Sequence, residues 1–492
     1  MAELNSLKSR SIKGVAWNGA GNVVKQVTMV VTMIVLARIL TPHEFGIYAL
    51  LMVFVSFSQI LAQMGTSSAV IYFDDLTDRF LSTAFYFTVG TSVAVYLLLF
   101  SGAGFLADFM DEPALQGLLQ LIGLVLVINS LSMIQRALLE KKMDFKKVIL
   151  VEKAALLMSS AVGISAAIFG FGAASFVLMA LSQAVLQLIG FTVFGHWRPR
   201  LLFGILELRR MLSYSLNLVG FTIINYFARQ SDNFLVGKFI GSGALGIYSV
   251  AYRIMLYPLE NVSRVLIRVL FPAFSEVKHD NERFKRGYVQ AISFIALVTF
   301  PLMLGLLAVA PLFVDVVFGE GWEELAPLLM ILALVGLQQS IVTTVGSIYL
   351  AKGTTGMMFW IGGINAAVTV LFFLGGVWFG IRGMVIAYLI ANLLMLYPNL
   401  HYAWRQIDLG IGEGLRELIP FLLSAGVMGL FVSAVGRAEP LHVFAPALQL
   451  FLLIALGGLV YMGLLFICSR PRLLGLLALV TRSTTAPSVH AT

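Results

Sequence analysis

GALGIYSVAYRIMLYPLENVSRVLIRVLF, residues 243–271, is an apolar stretch long enough to cross a bilayer, yet it holds Arg253, Glu260, Arg264 and Arg268. Spacings of seven, four and four residues put the four charges on one face of a helix. A charged side chain at membrane depth costs at least about 2.5 kcal/mol on insertion scales. A stripe of them must therefore face protein or water, not lipid. The stretch reads as one span of an all-α polytopic membrane protein with a polar, mostly cationic interior. Such an interior suits an anionic substrate.

The rest of the chain agrees. Of 492 residues, 59% are hydrophobic and only 12% charged, and the mean hydropathy is +0.93. A soluble domain is nearer half apolar and a quarter charged. The excess lies in apolar runs at 14–37, 44–65, 80–106, 115–135, 148–169, 173–194, 212–237, 243–271, 288–314, 325–350, 355–378, 382–404, 416–436 and 444–468. That is about fourteen spans. Connections between them are short, which leaves no room for a soluble catalytic domain. Cys468 is the single cysteine, so no internal disulfide forms and a cysteine metal site is not expected.

The basic residues set an orientation. With the N-terminus in the cytoplasm, that side collects Lys8, Arg10 and Lys13, the run Arg136 to Lys147, then Arg198, Arg200, Arg209, Arg210, Lys278 and Arg283 to Arg286. The outer side has Arg38, Lys238, Arg382 and Arg437, beside acidic loops at Asp108 to Glu112 and Asp315 to Glu324. This bias predicts both termini on the cytoplasmic side. It also explains the net charge of +8 without nucleic acid as a partner.

The chain repeats itself. LARILTPHEFGIYAL (36–50) aligns without gaps to VGKFIGSGALGIYSV (236–250), with Gly46-Ile47-Tyr48 on Gly246-Ile247-Tyr248 and Arg38 on Lys238. Phe169-Gly170 and Phe379-Gly380 each open a later span. Two halves of six spans read as parallel repeats, as in several transporter folds. The expected organisation is a lead-in (1–13), a six-helix bundle (14–195), a linker (196–211), a second bundle (212–404), two further helices (405–470) and a tail (471–492). A pseudo-two-fold axis through a central cavity relates the bundles.

Polar residues concentrate in the duplicated pairs of spans. The first span carries Asn18, Asn22 and Lys25 on one face, with Gln26 beside them; the second carries Ser56, Gln59 and Gln63. The seventh carries Asn217, Asn225, Arg229 and Asp232; the eighth adds Tyr252 and Tyr257 to its charged stripe. Guanidinium binds phosphate bidentately, and amides and tyrosines suit sugar hydroxyls. Arg229 with Asp232 (i,i+3) and Glu260 with Arg264 (i,i+4) equally fit neutralising bridges. Arg268 reads as snorkelling to the inner surface. Lys25 and Arg253 have no neutralising partner in their own helices and are the first candidates for ligand contact. Glu152 and Lys153, at the inner end of the fifth span, read as interfacial. Pro258, Pro301 and Pro311 predict bends.

No GxxxxGK[ST], HExxH or nucleophile-elbow sequence occurs, so neither ATP hydrolysis nor zinc hydrolysis is expected and no catalytic residue is assigned. The expectation is a transporter, not an enzyme, with no cofactor.

VLARILTPHEFGIYAL (35–50), RALLEKKMDFKKVILVE (136–152), DNFLVGKFIGSGALGIYSVAYR (232–253), RVLFPAFSEVKHD (268–280) and FVDVVFGEGW (313–322) together carry a family likeness. The chain resembles the Wzx-type polysaccharide flippases of the multidrug, oligosaccharidyl-lipid and polysaccharide exporter superfamily, in the branch of colanic acid and teichuronic acid exporters. The resemblance implies movement of an undecaprenyl-pyrophosphate-linked oligosaccharide to the outer leaflet by alternating access, driven by an ion gradient. On this reading Lys25, Arg229, Arg253 and Arg264 bind the pyrophosphate. Asn18, Asn22, Gln59, Gln63, Asn225, Tyr252 and Tyr257 line the sugar path, and Asp232 and Glu260 are the ion-coupling candidates. The implied partners are the lipid-linked oligosaccharide, membrane lipids, a polysaccharide polymerase and a chain-length regulator. A lipid II flippase and a multidrug antiporter are the alternatives. The excess of intramembrane cations over carboxylates disfavours the antiporter.

Overall fold

A computed structural model describes residues 24–263, 274–438 and 444–485, the side chains of Asn217, Phe221, Ala228 and 472–485 excepted. Asn18, Asn22, Arg264 and Arg268 lie outside the described residues. Among the described residues all regular structure is helical. Ten helices are long and apolar enough to cross a membrane, or eleven if a bent pair at Ile205–Phe227 and Arg229–Phe239 is one span. The expected spans 14–37 and 243–271 run beyond the described residues. The pair 355–378 and 382–404 reads as one apolar run, Thr355–Ile407. These account for the other three.

The helices group into two compact units, Met1–Gly246 and Ile247–Thr492. The first holds α1 (24–39), α2 (Pro42–Gln63), α3 (Thr66–Tyr72), α4 (Asp78–Phe109), α5 (Ala114–Ile122), α6 (Leu124–Lys141), α7 (Phe145–Ile168), α8 (Ala174–Phe194) and α9 (Ile205–Phe239). It ends in the first turn of α10 (Ser242–Pro258). The second continues through a π turn (Leu259–Ser263), α11 (Asn281–Val317), α12 (Leu325–Val342), α13 (Val345–Lys352), α14 (Thr355–Gly376), α15 (Gly380–Trp404), α16 (Ile411–Gly436) and α17 (Pro446–Thr485).

The repeated Gly-Ile-Tyr segment is where helices of the first unit come closest. Thr41 caps α2: its hydroxyl accepts the Glu44 N–H, and Glu44 Oε2 accepts the Thr41 N–H at 2.7 Å, with Pro42 at the first helical position. That box fixes where Gly46 points. A Cβ on Gly46 would lie 1.7 Å from the Ser242 carbonyl oxygen, and one on Gly246 would lie 1.8 Å from the Pro42 carbonyl oxygen. The contact is reciprocal at an offset of 200 residues, the offset of the sequence repeat. It is the small-xxx-small crossing that lets helix backbones touch.

Each unit also holds a lysine clamp. In the first, Lys141 at the end of α6 donates to the Val70, Ile71 and Phe73 carbonyls, which the end of α3 leaves without helical partners. In the second, Lys352 at the end of α13 donates to the Lys278 carbonyl at 2.6 Å and lies over the Phe284 ring. Replacing Lys141 by methionine is expected to lower stability by about 1.5–3 kcal/mol, the range for hydrogen bonds from a charged donor. Thermal melting of the detergent-solubilised protein measures it. A midpoint unchanged from wild type would show that water satisfies those carbonyls.

The core of the second unit is tied by a buried polar chain. Tyr288 on α11 meets the Thr344 hydroxyl at 2.6 Å, and Trp404 Nε1 donates to Tyr288 Oη at 3.1 Å. The last two helices dock on α11: Tyr461 Oη donates to the Leu297 carbonyl, and Gly429 sits against Leu304. Pro301 and Pro311 lie inside α11, which stays helical through both. Pro258 acts differently. The α-helix ends there and passes into the π turn, where the Asn261 amide donates to the Tyr257 carbonyl at 2.8 Å.

Candidate functional site

In the first unit the sequence-predicted polar residues sit on α1, α2 and α9. Lys25 on α1 is exposed, Gln59 and Gln63 on α2 are half-buried, and Asn225 and Arg229 on α9 are exposed. Arg229 follows directly on the 45° bend that divides α9. Tyr226, one turn earlier, donates to the Val53 carbonyl of α2, which anchors this part of α9. The Arg229–Asp232 bridge that the spacing allowed does not form. Asp232 is only 5% exposed and accepts the Asn233 N–H at 2.7 Å. Among the described residues no carboxylate lies within ion-pair distance of Arg229.

The second unit holds the other predicted residues. Arg253 and Tyr257 are exposed and Tyr252 is half-buried on α10; Glu260 lies exposed on the π turn. A π turn carries more residues per turn than an α-helix. The four-residue spacing that put Glu260 and Arg264 on the Arg253 face therefore does not run unchanged through it. Among the described residues no carboxylate pairs with Arg253. Tyr252 stands 6.3 Å, centroid to centroid, from Tyr388 on α15. Gln339 of α12 donates to Tyr388 Oη at 2.7 Å and to Asn392 at 3.2 Å. Sequence reading missed Gln339, Tyr388 and Asn392, because they fall in the spans outside the duplicated polar pairs.

Lys153 and Glu152, read as interfacial, lie on α7 beside the α6–α7 turn. The α6–α7 hairpin turns at Met143 and Asp144, which brings the end of α6 against the start of α7. Arg136 bridges Glu152 across the hairpin at 2.9 Å and Glu140 along α6 at 2.9 Å. Lys153 lies 3.8 Å from Glu152 and its side chain is 19% exposed.

The two ends of the first unit carry charged ties. At the predicted outer end, Glu112 accepts from Ser242 Oγ at 2.7 Å and meets His43 Nε2 at 3.1 Å, while Lys238 pairs with Asp111 at 2.7 Å. At the predicted inner end, Arg210 holds Asp75 with two parallel bonds of 2.7 and 2.9 Å. The hydrogen bond from Arg210 keeps the Asp75 carboxyl below its ordinary value. A depressed carboxylate contributes stability above its unfolded pKa and loses it as pH falls through the folded value. Asp75→Asn is therefore expected to flatten the acid limb of the stability–pH curve below about pH 4, read by melting from pH 3 to 7. An unchanged acid limb would show that solvent screens the pair fully.

The comparisons with known proteins fit this architecture. Residues 35–327 match the family model described as polysaccharide biosynthesis protein. The chain is 27% identical over 439 residues to the lipopolysaccharide biosynthesis protein WzxC of Escherichia coli K12, covering 86% of this chain and 89% of that one. It is 27% identical over 481 residues to the teichuronic acid biosynthesis protein TuaB of Bacillus subtilis 168, covering 94% and 96%. Its fold matches that of the lipid II flippase MurJ in an inward closed conformation, with a TM-score of 0.73 at 15% identity, over 92% of this chain and 99% of that one. The chain belongs to the polysaccharide biosynthesis protein family of multi-pass membrane proteins.

Proposed function

We propose that this chain is a flippase that carries undecaprenyl-pyrophosphate-linked oligosaccharide units from the inner to the outer leaflet of the bacterial cytoplasmic membrane. It acts in exopolysaccharide, capsule or O-antigen synthesis, by alternating access coupled to H+ or Na+. One observation carries the substrate class: in a member of this family, Arg229 and Arg253 lie in apolar helices, exposed, with no carboxylate partner among the described residues. A cation so placed is costly in lipid and is compensated by water or an anion. Lys25, Arg229, Arg253 and Arg264 bind the pyrophosphate. Asn18, Asn22, Gln59, Gln63, Asn225, Tyr252 and Tyr257 contact the sugars. Asp232 and Glu260 serve ion coupling; a buried carboxylate such as Asp232 suits a group that gains and loses its proton with conformation.

The bundles at 14–195 and 212–404 form the moving halves, joined by 196–211, with two further helices at 405–470. Both termini are cytoplasmic, and a polymerase with its chain-length regulator receives the product. The test is reconstitution in liposomes with a fluorescent diphosphate-linked oligosaccharide, following its exposure to an impermeant quencher with and without an imposed ion gradient. Protein-dependent transfer is expected. Transfer of lipid II alone, with the oligosaccharide left in place, would replace this reading with the peptidoglycan one that the MurJ fold match raises.

A further inference from the structure

The segment that joins α8 to α9 reads RPRLLFGILELRR (198–210), an apolar run bracketed by two pairs of arginines. By sequence it belongs to the linker between spans. The structure turns its apolar side chains outward. Leu201 is 94% exposed, Leu206 76% and Ile205 72%, with Leu202 and Phe203 exposed beside them. This outward turn is held from behind. Residues 195–204 are irregular and lie against the start of α4. The Arg200 N–H donates to the buried Ser82 hydroxyl at 3.1 Å, and the Gly204 N–H to the buried Thr83 hydroxyl at 2.9 Å. Trp197 packs edge-on to Phe85, 6.0 Å between ring centroids.

Three constraints fix the depth of this segment. Adjoining large apolar groups are rarely left in water without a partner surface. Irregular backbone does not face lipid within the hydrocarbon core. Arginines on both flanks do not sink to mid-bilayer. The level that satisfies all three is the headgroup boundary, with the apolar tips in the upper acyl region. Charge then selects the lipid. Three ion pairs take the nearby carboxylates: Asp78 with Arg200 at 2.6 Å, Asp75 with Arg210 at 2.7 Å, and Glu207 with Arg79 at 3.5 Å. Among the described residues no carboxylate lies within ion-pair distance of Arg198 or Arg209. Arg198 donates to the Thr192, Gly195 and Trp197 carbonyls, which leaves its charge in place. Arg209 is exposed.

We propose that residues 198–210 seat in the membrane leaflet at the predicted inner end, with Arg198 and Arg209 against anionic phospholipid headgroups. A bilayer surface offers an apolar layer and negative charge in one plane, which matches apolar residues with a cation on either side. The inference rests on the membrane fold and is independent of which substrate is carried.

The experiment places a fluorophore at the segment itself, on Leu201→Cys in a Cys468→Ser background, with the full-length protein in phosphatidylcholine nanodiscs. The probes are phosphatidylglycerol and phosphatidylcholine, each carrying a nitroxide high on the acyl chain, and acrylamide as the water-soluble quencher. Both lipids are expected to quench, phosphatidylglycerol at lower mole fraction, and acrylamide to quench weakly. Arg209→Gln is expected to weaken the phosphatidylglycerol preference about fivefold, and Arg209→Lys to retain it. Arg209 makes no hydrogen bond or ion pair among the described residues, so these changes spare the fold.

Strong quenching by acrylamide with none by either lipid would put the segment in water and overturn the proposal. Shielding from all three quenchers would mean that a protein surface covers it, which overturns the proposal equally. Equal quenching by the two lipids, or a preference that Arg209→Gln leaves intact, would remove the anionic-lipid site.

Discussion

Replacing Gly246 by alanine is expected to cost about 3 kcal/mol or more of stability, and Gly46→Ala a similar amount. In each case the new methyl would sit under 2 Å from a backbone oxygen, Pro42 for one and Ser242 for the other. A flexible side chain can swing away from such a clash, but a helix backbone cannot. The two segments would have to separate, losing the packing between them and straining the Glu112–Ser242 and Lys238–Asp111 ties alongside. Valine at either position should prevent accumulation of folded protein. Gly243 is the control: three residues away on the same helix, a Cβ there meets nothing within 4 Å. Gly243→Ala is expected to be neutral or stabilising by about 0.4–1 kcal/mol. The measurement is melting by fluorescence-detected size exclusion in detergent. Equal midpoints for Gly246→Ala and Gly243→Ala would refute the tight crossing.

Arg253→Ala is expected to reduce transport about a hundredfold or more while the protein inserts normally. On the proposed reading the lost interaction is a bidentate, charge-assisted pair with phosphate, whose two bonds are each worth about 1.5–3 kcal/mol. Arg253→Lys keeps the charge but loses the planar fork, and should fall between. Arg253 is exposed with no ion pair among the described residues, so its removal strands no buried carboxylate and should spare folding. Polymer export from cells expressing the variant at native level is the readout. Normal export by Arg253→Ala would remove Arg253 from the site.

The spans and their α character were legible because runs of about 20 apolar residues admit few other solutions in lipid. The polar stripe on the eighth span was read from helical periodicity, and the π turn at Leu259–Ser263 interrupts that periodicity within it. Other features depended on what the chain does where that periodicity fails. Pro258 announced a bend, but the passage into a π turn at Leu259 depends on whether neighbours can satisfy the freed backbone. The 45° break before Arg229 has no proline or glycine to mark it. Asp232 could pair with Arg229 by spacing, but among the described residues it is buried and accepts the Asn233 N–H. Lys153 was assigned to the interface because it lies close to a span boundary. The Arg136–Glu152 pair across the hairpin was not legible, because the facing register of two helices depends on the turn between them.

The Gly46–Gly246 crossing bears on how such a chain came to exist. Residue 46 presses on 242 and residue 246 presses on 42, so each copy of the motif supplies both the knob and the surface it meets. A contact with that property is self-complementary. An ancestor bearing a single copy would have met an identical subunit through the same glycine, as an isologous homodimer does. The two copies now differ around that contact: Glu44 caps its own helix, whereas the matching position is Ala244 and Ser242 binds Glu112.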